Sequence, residues 1–167
     1  SNKDREVSAQ TLAYVLAPRI NAAGRMGDAN AALVLFLSDD ENEIADLAAK
    51  LTAYNMERQV ACDRLYQSAK AQLGEKEAFD HVIMLYDESW STGFVGIVAA
   101  RLAEEYARPV IMFAGQDGHL KGSARSVDGV NIFEVISSQK ALLLEFGGHA
   151  QAAGVAIEKE NFSAFEA

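Results

Sequence analysis

The sequence contains one cysteine, two prolines and no long apolar run among its 167 residues. With Cys62 alone, no disulfide can form within the chain, which fits a reducing cytoplasm. Cys62 falls in a helical pattern, and we interpret it as a buried or half-buried packing residue rather than a reactive thiol. There is no apolar stretch of about eighteen residues and no basic leader before an apolar core, so the sequence predicts neither a membrane span nor a signal peptide.

Positive charge is also scarce. The chain has 15 Lys and Arg against 24 Asp and Glu, a formal net charge of −9. Residues 1–76 carry nine basic and eleven acidic side chains, whereas residues 77–167 carry six and thirteen. Such an acidic chain cannot attract nucleic-acid phosphates through its overall field. Any phosphate contact must therefore come from a few placed arginines and from backbone amides.

Motifs for metal binding and nucleophilic catalysis are missing as well. The three histidines, His81, His119 and His149, stand in no H-x-x-x-H or D-H-H arrangement, and there is no D-x-D, P-loop or G-x-S-x-G motif. The acidic run "SDDENE" at 38–43 lies at a predicted helix start, where acidic side chains favour the helix dipole. On its own residues, the chain is predicted to hold neither a metal nor a catalytic centre.

The first half of the sequence is predominantly helical in pattern. "TLAYVLAP" predicts a short helix ended by Pro18, and the polar stretch "RINAAGRMGDAN" predicts a loop. Asp28 is placed to cap a second helix that ends near Leu37.

A capping box of Ser38 and Glu41 predicts the start of a third helix. Neither glycine nor proline interrupts the sequence from there to about Leu73. A helix of about 33 residues would be roughly 50 Å long. We expect it to connect two bodies or to brace one, and the following "GEKE" at 74–77 predicts a linker.

The second half changes to alternating strands and helices. The predicted strands are "HVIMLY" (81–86), "PVIMFAG" (109–115), "HLKGSARS" (119–126) and "GVAIE" (154–158), with a tight turn at 117–118. Helices are predicted from Ser91 or Thr92, from Asn131 to Phe146 with one break, and from Asn161. The order β-α-β-β-α-β-α predicts an α/β fold: a long connecting helix, then a small domain with a mixed β-sheet flanked by helices. The predicted domains are residues 1–76 and 77–167.

The glycine-rich stretch "FGGHAQAAG" at 146–154 is the first candidate site. Gly147 and Gly148 permit positive φ and can direct successive N–H groups into one concavity that suits phosphate or carboxylate. His149 can donate a hydrogen bond to the same anion. The alternative is a tight helix-to-strand turn with a satisfied histidine.

"KGSARS" at 121–126 is the second candidate. If strand alternation holds, Ser123 and Arg125 project from one face and can clamp a terminal phosphate. The alternative is an edge strand with an exposed arginine.

Two further stretches are weaker candidates. "PRINAAGR" at 18–25 places Arg19, Asn21 and Arg25 where glycine and alanine leave room for a strand of nucleic acid. "SWSTGFVGIVA" at 89–99 combines a helix N-terminus with Gly96, which allows close helix–strand packing. Trp90 can stack on a base, although a half-buried anchor is the favoured interpretation.

Taken together, "LAPRINAAGRM", "SWSTGFVGIVAARLAEEYARP", "GSARS" and "FGGHAQAAGVAI" resemble the C-terminal half of RecJ-type single-strand-specific exonucleases of the DHH phosphoesterase superfamily. The resemblance runs from about residue 8 to the end of the chain. "FGGHAQAAG" alone resembles the DHH-associated domain in general, whereas "APRINAAGRM" is more specific to the RecJ branch. The chain begins Ser-Asn-Lys without a methionine, so we expect it to be a piece of a longer protein.

The resemblance implies a division of labour in a bacterial 5′→3′ exonuclease of DNA recombination and repair. A separate N-terminal domain would bind two Mn²⁺ or Mg²⁺ ions, and this chain would hold the 5′ end of single-stranded DNA without hydrolysing it. Ser123 and Arg125 would bind the terminal phosphate. The group Gly147, Gly148 and His149 would approach the nucleotide at the scissile end. Arg19 and Arg25, with Asn21 beside them, would follow the DNA backbone.

The resemblance also implies partners and alternatives. Single-stranded DNA is the expected partner, with single-strand DNA-binding protein and a recombination helicase as candidates and no membrane. The alternatives are a short-oligonucleotide or cyclic-dinucleotide phosphodiesterase of the same superfamily, or a non-catalytic DHH-like scaffold. One departure stands out: many relatives have a histidine after the tryptophan, where this chain has Ser91 and Thr92.

Overall fold

The computed structural model describes residues 7–75, 79 and 81–166, so the predicted boundary between residues 76 and 77 lies outside the described residues. The chain divides into two compact units, Ser1–Ala61 and Cys62–Ala167. The helices are α1 (Ala9–Thr11), a π-helical turn (Leu12–Leu16), α2 (Ala17–Arg25), α3 (Ala29–Leu37), α4 (Glu41–Leu73), α5 (Thr92–Tyr106), α6 (Ile132–Ser138) and α7 (Phe162–Glu166), with 3₁₀ turns at Lys140–Leu142 and Lys159–Asn161. The strands are β1 (Ile83–Asp87), β2 (Val110–Gln116), β3 (His119–Arg125), β4 (Leu143–His149) and β5 (Ala152–Glu158).

The first unit corrects two predictions around Pro18. The helix does not end there: Pro18 occupies the first turn of α2, directly after the π-helical turn, where its fixed φ is compatible with a helix. The predicted loop over 19–30 is also wrong for its first part, since residues 19–25 are helical. Ala22 and Ala23 are fully buried, so packing of small side chains outweighs the helix-weakening effect of Gly24.

Asp28 caps α3 as predicted. Its Oδ1 accepts the Ala31 N–H at 3.3 Å, while its Oδ2 lies 2.7 Å from Lys50 Nζ and 2.9 Å from the Tyr54 hydroxyl. These hydrogen bonds, first that from Lys50 and then that from Tyr54, lower the pKa of the Asp28 carboxyl. The helix then ends at Leu37, also as predicted.

The long helix α4 has the predicted length but a different cap. It runs over 33 residues from Glu41 to Leu73. The Asp40 Oδ1 atom accepts the N–H groups of Asn42 at 2.8 Å and Glu43 at 3.3 Å, so Asp40 is the N-cap. The predicted capping box of Ser38 and Glu41 is therefore wrong, because Asp40 is nearer the first free N–H groups.

The second unit contains a mixed five-stranded sheet in the order β1-β2-β3-β5-β4. β1 and β2 are parallel, and the other neighbouring pairs are antiparallel. The predicted turn between β2 and β3 is confirmed, with φ of 51° at Asp117 and 85° at Gly118. This α/β architecture confirms the predicted fold class.

One strand of this sheet lies where the sequence predicts a helix. The predicted helix from Asn131 to Phe146 ends at Ser138, and β4 begins at Leu143. The run "ALLLEF" is short and apolar, a pattern that fits a helix and a strand equally well. Pairing with β5 decides the outcome, which no local signal reports.

Helices cover the two faces of the sheet differently. On one face, α6 and α7 pack over large apolar side chains of β2, β3 and β5. This core contains Ile111, Phe113, Leu120, Val155 and Ile157, together with Ile132, Ile136 and Phe165. On the other face, α5 packs against β2 and β3. We call these the core face and the open face.

The C-terminal part of α4 is bound to α5 and its flanking turn. Glu105 on α5 accepts hydrogen bonds from the Tyr66 hydroxyl at 2.5 Å and from Lys70 Nζ at 2.8 Å. Trp90 is buried, rather than half-buried as predicted, and donates its indole N–H to Ser68 at 3.2 Å, which confirms it as an anchor. Cys62 is buried, also as predicted. Over the described part of the chain, no helix has the length and apolar character needed to cross a membrane.

Candidate functional site

The register of three antiparallel strands aligns the two glycine- and arginine-containing motifs. Ser123 on β3 lies opposite Gly154 on β5, which in turn lies opposite Gly147 on β4. The next row contains Arg125, Ala152 and His149. Directly opposed residues in an antiparallel sheet project from the same face. Both rows therefore lie on the open face, although their motifs are more than 20 residues apart in the sequence.

Ser123 and Arg125 form a hydrogen-bonded pair within the first of these motifs. Arg125 Nη1 donates to Ser123 Oγ and to the Ala124 carbonyl oxygen, each at 2.8 Å. The predicted side-by-side placement is thus confirmed, while the role in phosphate binding stays a prediction. Both side chains are half-buried, which restricts the guanidinium to a defined position.

Gly96 on α5 leaves the space that this pair occupies. A methyl group added at Gly96 would lie 2.7 Å from Ser123 Oγ and 2.9 Å from Arg125 Nη2. The sequence indicates only close helix–strand packing at Gly96. Sequence reasoning missed its direct effect on the position of Ser123 and Arg125, because the sequence does not show which strand α5 crosses.

The two adjacent glycines, Gly147 and Gly148, lie on opposite faces of β4. Gly148 has a φ of 151°, and a methyl group there would lie 2.4 Å from the Ala152 carbonyl oxygen. The neighbouring strand β5 therefore approaches Gly148, which explains this glycine by packing. A methyl group at Gly147 would meet nothing within 4 Å among the described residues. Packing within the fold therefore accounts for a glycine at position 148 but not for one at position 147, where the space above the strand is open.

This geometry corrects the predicted anion nest. Successive N–H groups alternate in direction along a strand, so those of Gly147 and Gly148 do not point into one concavity. The helix-to-strand turn considered as the alternative is also wrong, because the segment is a β-hairpin. Any anion at this position would meet the open face of the hairpin instead.

His149 is exposed at the end of β4, beside a well-anchored turn. The Ser126 N–H donates to the Gln151 carbonyl oxygen at 2.9 Å, and the Ile132 N–H donates to that of Ala150 at 3.0 Å. These bonds hold the two-residue turn while the imidazole faces solvent. His149 is therefore available to a ligand on the open face.

A shallow trough lies between the two motifs. Its floor is the open face of β5, where Ala152, Gly154 and Ala156 carry no side chain larger than a methyl group. Its walls stand on β3 and β4, about 10 Å apart at two strand spacings. A groove of about 290 Å³ in this trough is bordered by Lys121 on β3 and Glu145 on β4. The candidate stretches include Gly154 and Lys121, but sequence reasoning gave neither residue a role, because only strand pairing brings them together.

The candidate residues of the first unit lie on helix α2. Arg19 is half-buried and donates to Thr52 Oγ1 at 3.2 Å and to the Val15 carbonyl oxygen at 2.6 Å. Asn21 and Arg25, four residues apart, are exposed on one side of α2. Arg19 is therefore held within the fold, and the side chains of Asn21 and Arg25 reach solvent.

Clusters of metal-binding side chains are absent from the described part of the chain. Nowhere in residues 7–75, 79 and 81–166 do three His, Cys, Asp or Glu side chains lie closely enough together to hold a metal ion. These residues do not fit a divalent-metal centre.

The departure at Ser91 and Thr92 has a local explanation. Ser91 Oγ accepts the Gly93 N–H at 3.3 Å and caps α5, which begins at Thr92. A serine at this position is a favoured N-cap residue. The start of α5 is therefore stabilised without a histidine.

The chain is similar to known proteins. Residues 79–167 match the DHHA1 domain family. The single-stranded-DNA-specific exonuclease RecJ of Salmonella typhimurium is 35% identical over 183 residues, which cover 99% of this chain and 30% of that protein. The chain thus spans about a third of that relative's length.

Two solved structures resemble this one closely. The crystal structure of RecJ from Thermus thermophilus in complex with Mg²⁺ matches with a TM-score of 0.84 and 38% identity, covering 93% of this chain and 24% of that one. A crystal structure of exonuclease RecJ bound to manganese matches with a TM-score of 0.81 and 37% identity, covering 95% and 40% respectively.

Proposed function

The chain belongs to the DHHA1 domain family, and we propose that it is the part of a RecJ-type exonuclease that holds the 5′ end of single-stranded DNA. In this proposal, the longer protein removes nucleotides in the 5′→3′ direction during DNA recombination and repair. The specificity of the Salmonella typhimurium relative for single-stranded DNA supports this substrate.

The observation that carries the proposal is the alignment on the open face of the sheet. Ser123 and Arg125 form a preorganised pair of donors in an acidic protein, and a terminal phosphate is the anion that such a pair suits. Gly147 lies in line with Ser123 across β5 and leaves open space above the strand. His149 lies in line with Arg125 and is exposed. A nucleotide over β5 would contact both motifs at once.

The other candidate residues take lesser parts in the proposal. Gly148 shapes the hairpin that carries Gly147 and His149, because β5 leaves no room for a side chain there. Asn21 and Arg25 would contact the DNA backbone from α2. Arg19 would act mainly by holding α2 to α4 through Thr52.

Hydrolysis is assigned to a divalent metal ion held by another part of the longer protein. The relatives of known structure contain Mg²⁺ or manganese, and the described residues of this chain supply no cluster for such an ion. When bound, the ion would activate water and stabilise charge on the scissile phosphate. The residues of this chain would bind and orient the strand.

The same proposal includes a bacterial cytoplasmic setting. Single-strand DNA-binding protein and a recombination helicase are the proposed protein partners. The relatives' bacterial origin and the lone buried Cys62 support the setting.

Discrimination of the 5′ end tests the proposal. Binding of this chain to 5′-phosphorylated and 5′-hydroxyl oligodeoxynucleotides would be measured by fluorescence anisotropy. We expect wild type to bind the 5′-phosphorylated oligonucleotide more tightly than the 5′-hydroxyl one, and Arg125→Ala to lose that preference. The loss should be about 1.5–3 kcal/mol, the contribution of a hydrogen bond to a charged group. Arg125→Lys should lose part of it, because a lysine cannot bind in bidentate fashion.

Lys140→Ala provides the matched control, since Lys140 is exposed and lies outside the trough. It should weaken both oligonucleotides equally and slightly. Equal loss for the two ends in Arg125→Ala would show that Arg125 does not recognise the terminal phosphate.

Hydrolytic inactivity of the chain is a separate prediction. Incubated with Mn²⁺ and single-stranded DNA, the purified chain should release no mononucleotides. Release at a rate proportional to its concentration through repeated purification would contradict the assignment of catalysis to another part of the protein.

A further inference from the structure

Most basic side chains of the sheet-containing region already have partners. Arg101 pairs with Asp63 at 3.0 Å, Arg108 donates to the Phe79 carbonyl oxygen at 2.6 Å, and Lys159 pairs with Glu88. These contacts leave their charges partly neutralised or committed to the fold. They therefore contribute little to a ligand on the open face.

Lys121 differs from these residues. It is exposed, and among the residues that the structure describes it has neither an ion pair nor a side-chain hydrogen bond. It lies on the same face of β3 as Ser123 and Arg125, because side chains alternate along a strand. An unneutralised cation thus extends the line of the terminal-phosphate pair along the trough wall.

Across the trough, the opposite wall carries the opposite charge. Lys121 lies opposite Ala156 on β5, which lies opposite Glu145 on β4. Glu145 is exposed, and two strand spacings of about 10 Å separate it from Lys121 at the backbone. A phosphate on the β4 side would be repelled by Glu145, whereas one on the β3 side would be attracted by Lys121.

We propose that Lys121 is a further DNA-binding residue, which contacts an internal phosphate of the strand whose 5′ end is held at Arg125. This inference rests on the proposed function and adds the path of the strand. The DNA backbone follows β3 from Arg125 towards Lys121, and the bases lie over the small side chains of β5. Glu145 keeps the phosphates on the β3 side of the trough.

The spacing identifies which phosphate is contacted. Arg125 and Lys121 are four residues apart, or about 14 Å along an extended strand. That separation exceeds the distance between adjacent phosphates of a DNA strand. Lys121 therefore contacts a phosphate beyond the first internal one, and a mononucleotide does not reach it.

Ligand length provides the test. Binding of thymidine 5′-monophosphate and of 5′-phosphorylated tetrathymidylate to the 167-residue chain would be measured by calorimetry across a salt series. Lys121→Ala should lower the affinity for the tetranucleotide roughly five-fold at low salt. It should also reduce the slope of log affinity against log salt concentration by about 0.7, the value for one phosphate contact on a single strand. The mononucleotide affinity should not change. Arg125→Ala should weaken both ligands.

Two further variants test the charge of the opposite wall and provide a matched control. Glu145→Gln should raise the affinity for the tetranucleotide but not for the mononucleotide, because it removes a repelling charge from the opposite wall. Lys140→Ala, which removes the same charge as Lys121→Ala away from the trough, should leave the difference between the ligands unchanged.

Three results would overturn the inference. If Lys121→Ala lowers the affinity for the mononucleotide and the tetranucleotide equally, Lys121 lies at the terminal phosphate instead. If Lys121→Ala binds the tetranucleotide with unchanged affinity while Arg125→Ala binds it weakly, the strand path is rejected and the proposed function stands. Binding of neither ligand by wild type would reject both.

Discussion

The two faces of the sheet use the same strands for different purposes. On the core face, β3 and β5 present Leu120, Val155 and Ile157, which are nearly inaccessible to solvent beneath α6 and α7. On the open face, alternate residues of the same strands are Lys121 and Ser123, opposite Ala156 and Gly154. The core face therefore stabilises the fold, and the open face keeps a trough clear.

This difference separates glycines that look identical in the sequence. Gly148 belongs to the core face and is required by the close approach of β5. Gly147 and Gly154 belong to the open face, where the fold leaves space above them. A glycine needed for stability and a glycine needed for access are thus neighbours in the chain, and substitution should distinguish them.

The largest expected effect is on stability at Gly148. Gly148→Ala should lower the free energy of unfolding by about 2–4 kcal/mol, because a methyl group meets the β5 backbone and the positive φ adds strain. Gly147→Ala should change it by less than about 1 kcal/mol, since nothing meets the added methyl group. Urea unfolding of both variants measures the difference. Similar losses for the two would remove the distinction between the faces.

An intermediate effect is expected at Gly96, where α5 covers part of the open face. The added methyl group of Gly96→Ala would displace the movable ends of Ser123 and Arg125 rather than backbone. We expect about a ten-fold loss of affinity for 5′-phosphorylated DNA, or about 1.4 kcal/mol, with a smaller change in stability. Anisotropy and urea unfolding on the same preparation check both parts. Unimpaired binding would show that the position of the pair does not matter.

The smallest expected effect is the loss of stability at acidic pH. The apolar core face should not contribute to this loss. Lys70 and then Tyr66 lower the pKa of Glu105, from its usual 4.5, through hydrogen bonds that fasten α5 to α4. A lowered folded-state pKa gives stability that is present above the unfolded-state pKa and is lost as the pH falls through the folded-state value. The contribution should stay below about 1 kcal/mol, because the pair is partly exposed.

Glu105→Gln isolates that contribution. The difference in unfolding free energy between wild type and Glu105→Gln should shrink as the pH falls below about 4.5 and should be constant from about pH 6 to 8. Urea titrations at each pH measure it. A difference that stays constant into acid would show that Glu105 does not contribute through its charge.

Much of the fold follows from local sequence. The caps Asp28, Ser91 and Asn131, the turn at 117–118 and the uninterrupted α4 all rest on interactions within a few residues. The errors occur where distant contacts decide. The helix α2 forms through Pro18 because buried alanines pack there, and β4 forms because β5 pairs with it.

The candidate site is only partly predictable for the same reason. Alternation along β3 is enough to place Ser123 beside Arg125. The row that joins Ser123 to Gly147 requires the register of three strands, which the sequence does not encode locally. The two glycines of "FGGH" are grouped together in the prediction because no local pattern indicates that they lie on opposite faces.

Filling the trough tests the central claim most directly. A methyl group at Gly154 would stand over the floor of the trough, with only the Gly147 carbonyl oxygen within 4 Å among the described residues, at 3.9 Å. Gly154→Val should therefore keep the unfolding free energy of wild type within about 1 kcal/mol while it blocks the trough. Its affinity for 5′-phosphorylated single-stranded DNA would be measured by anisotropy beside wild type. The account predicts a loss of at least ten-fold in a fully folded protein, and undiminished binding would contradict it.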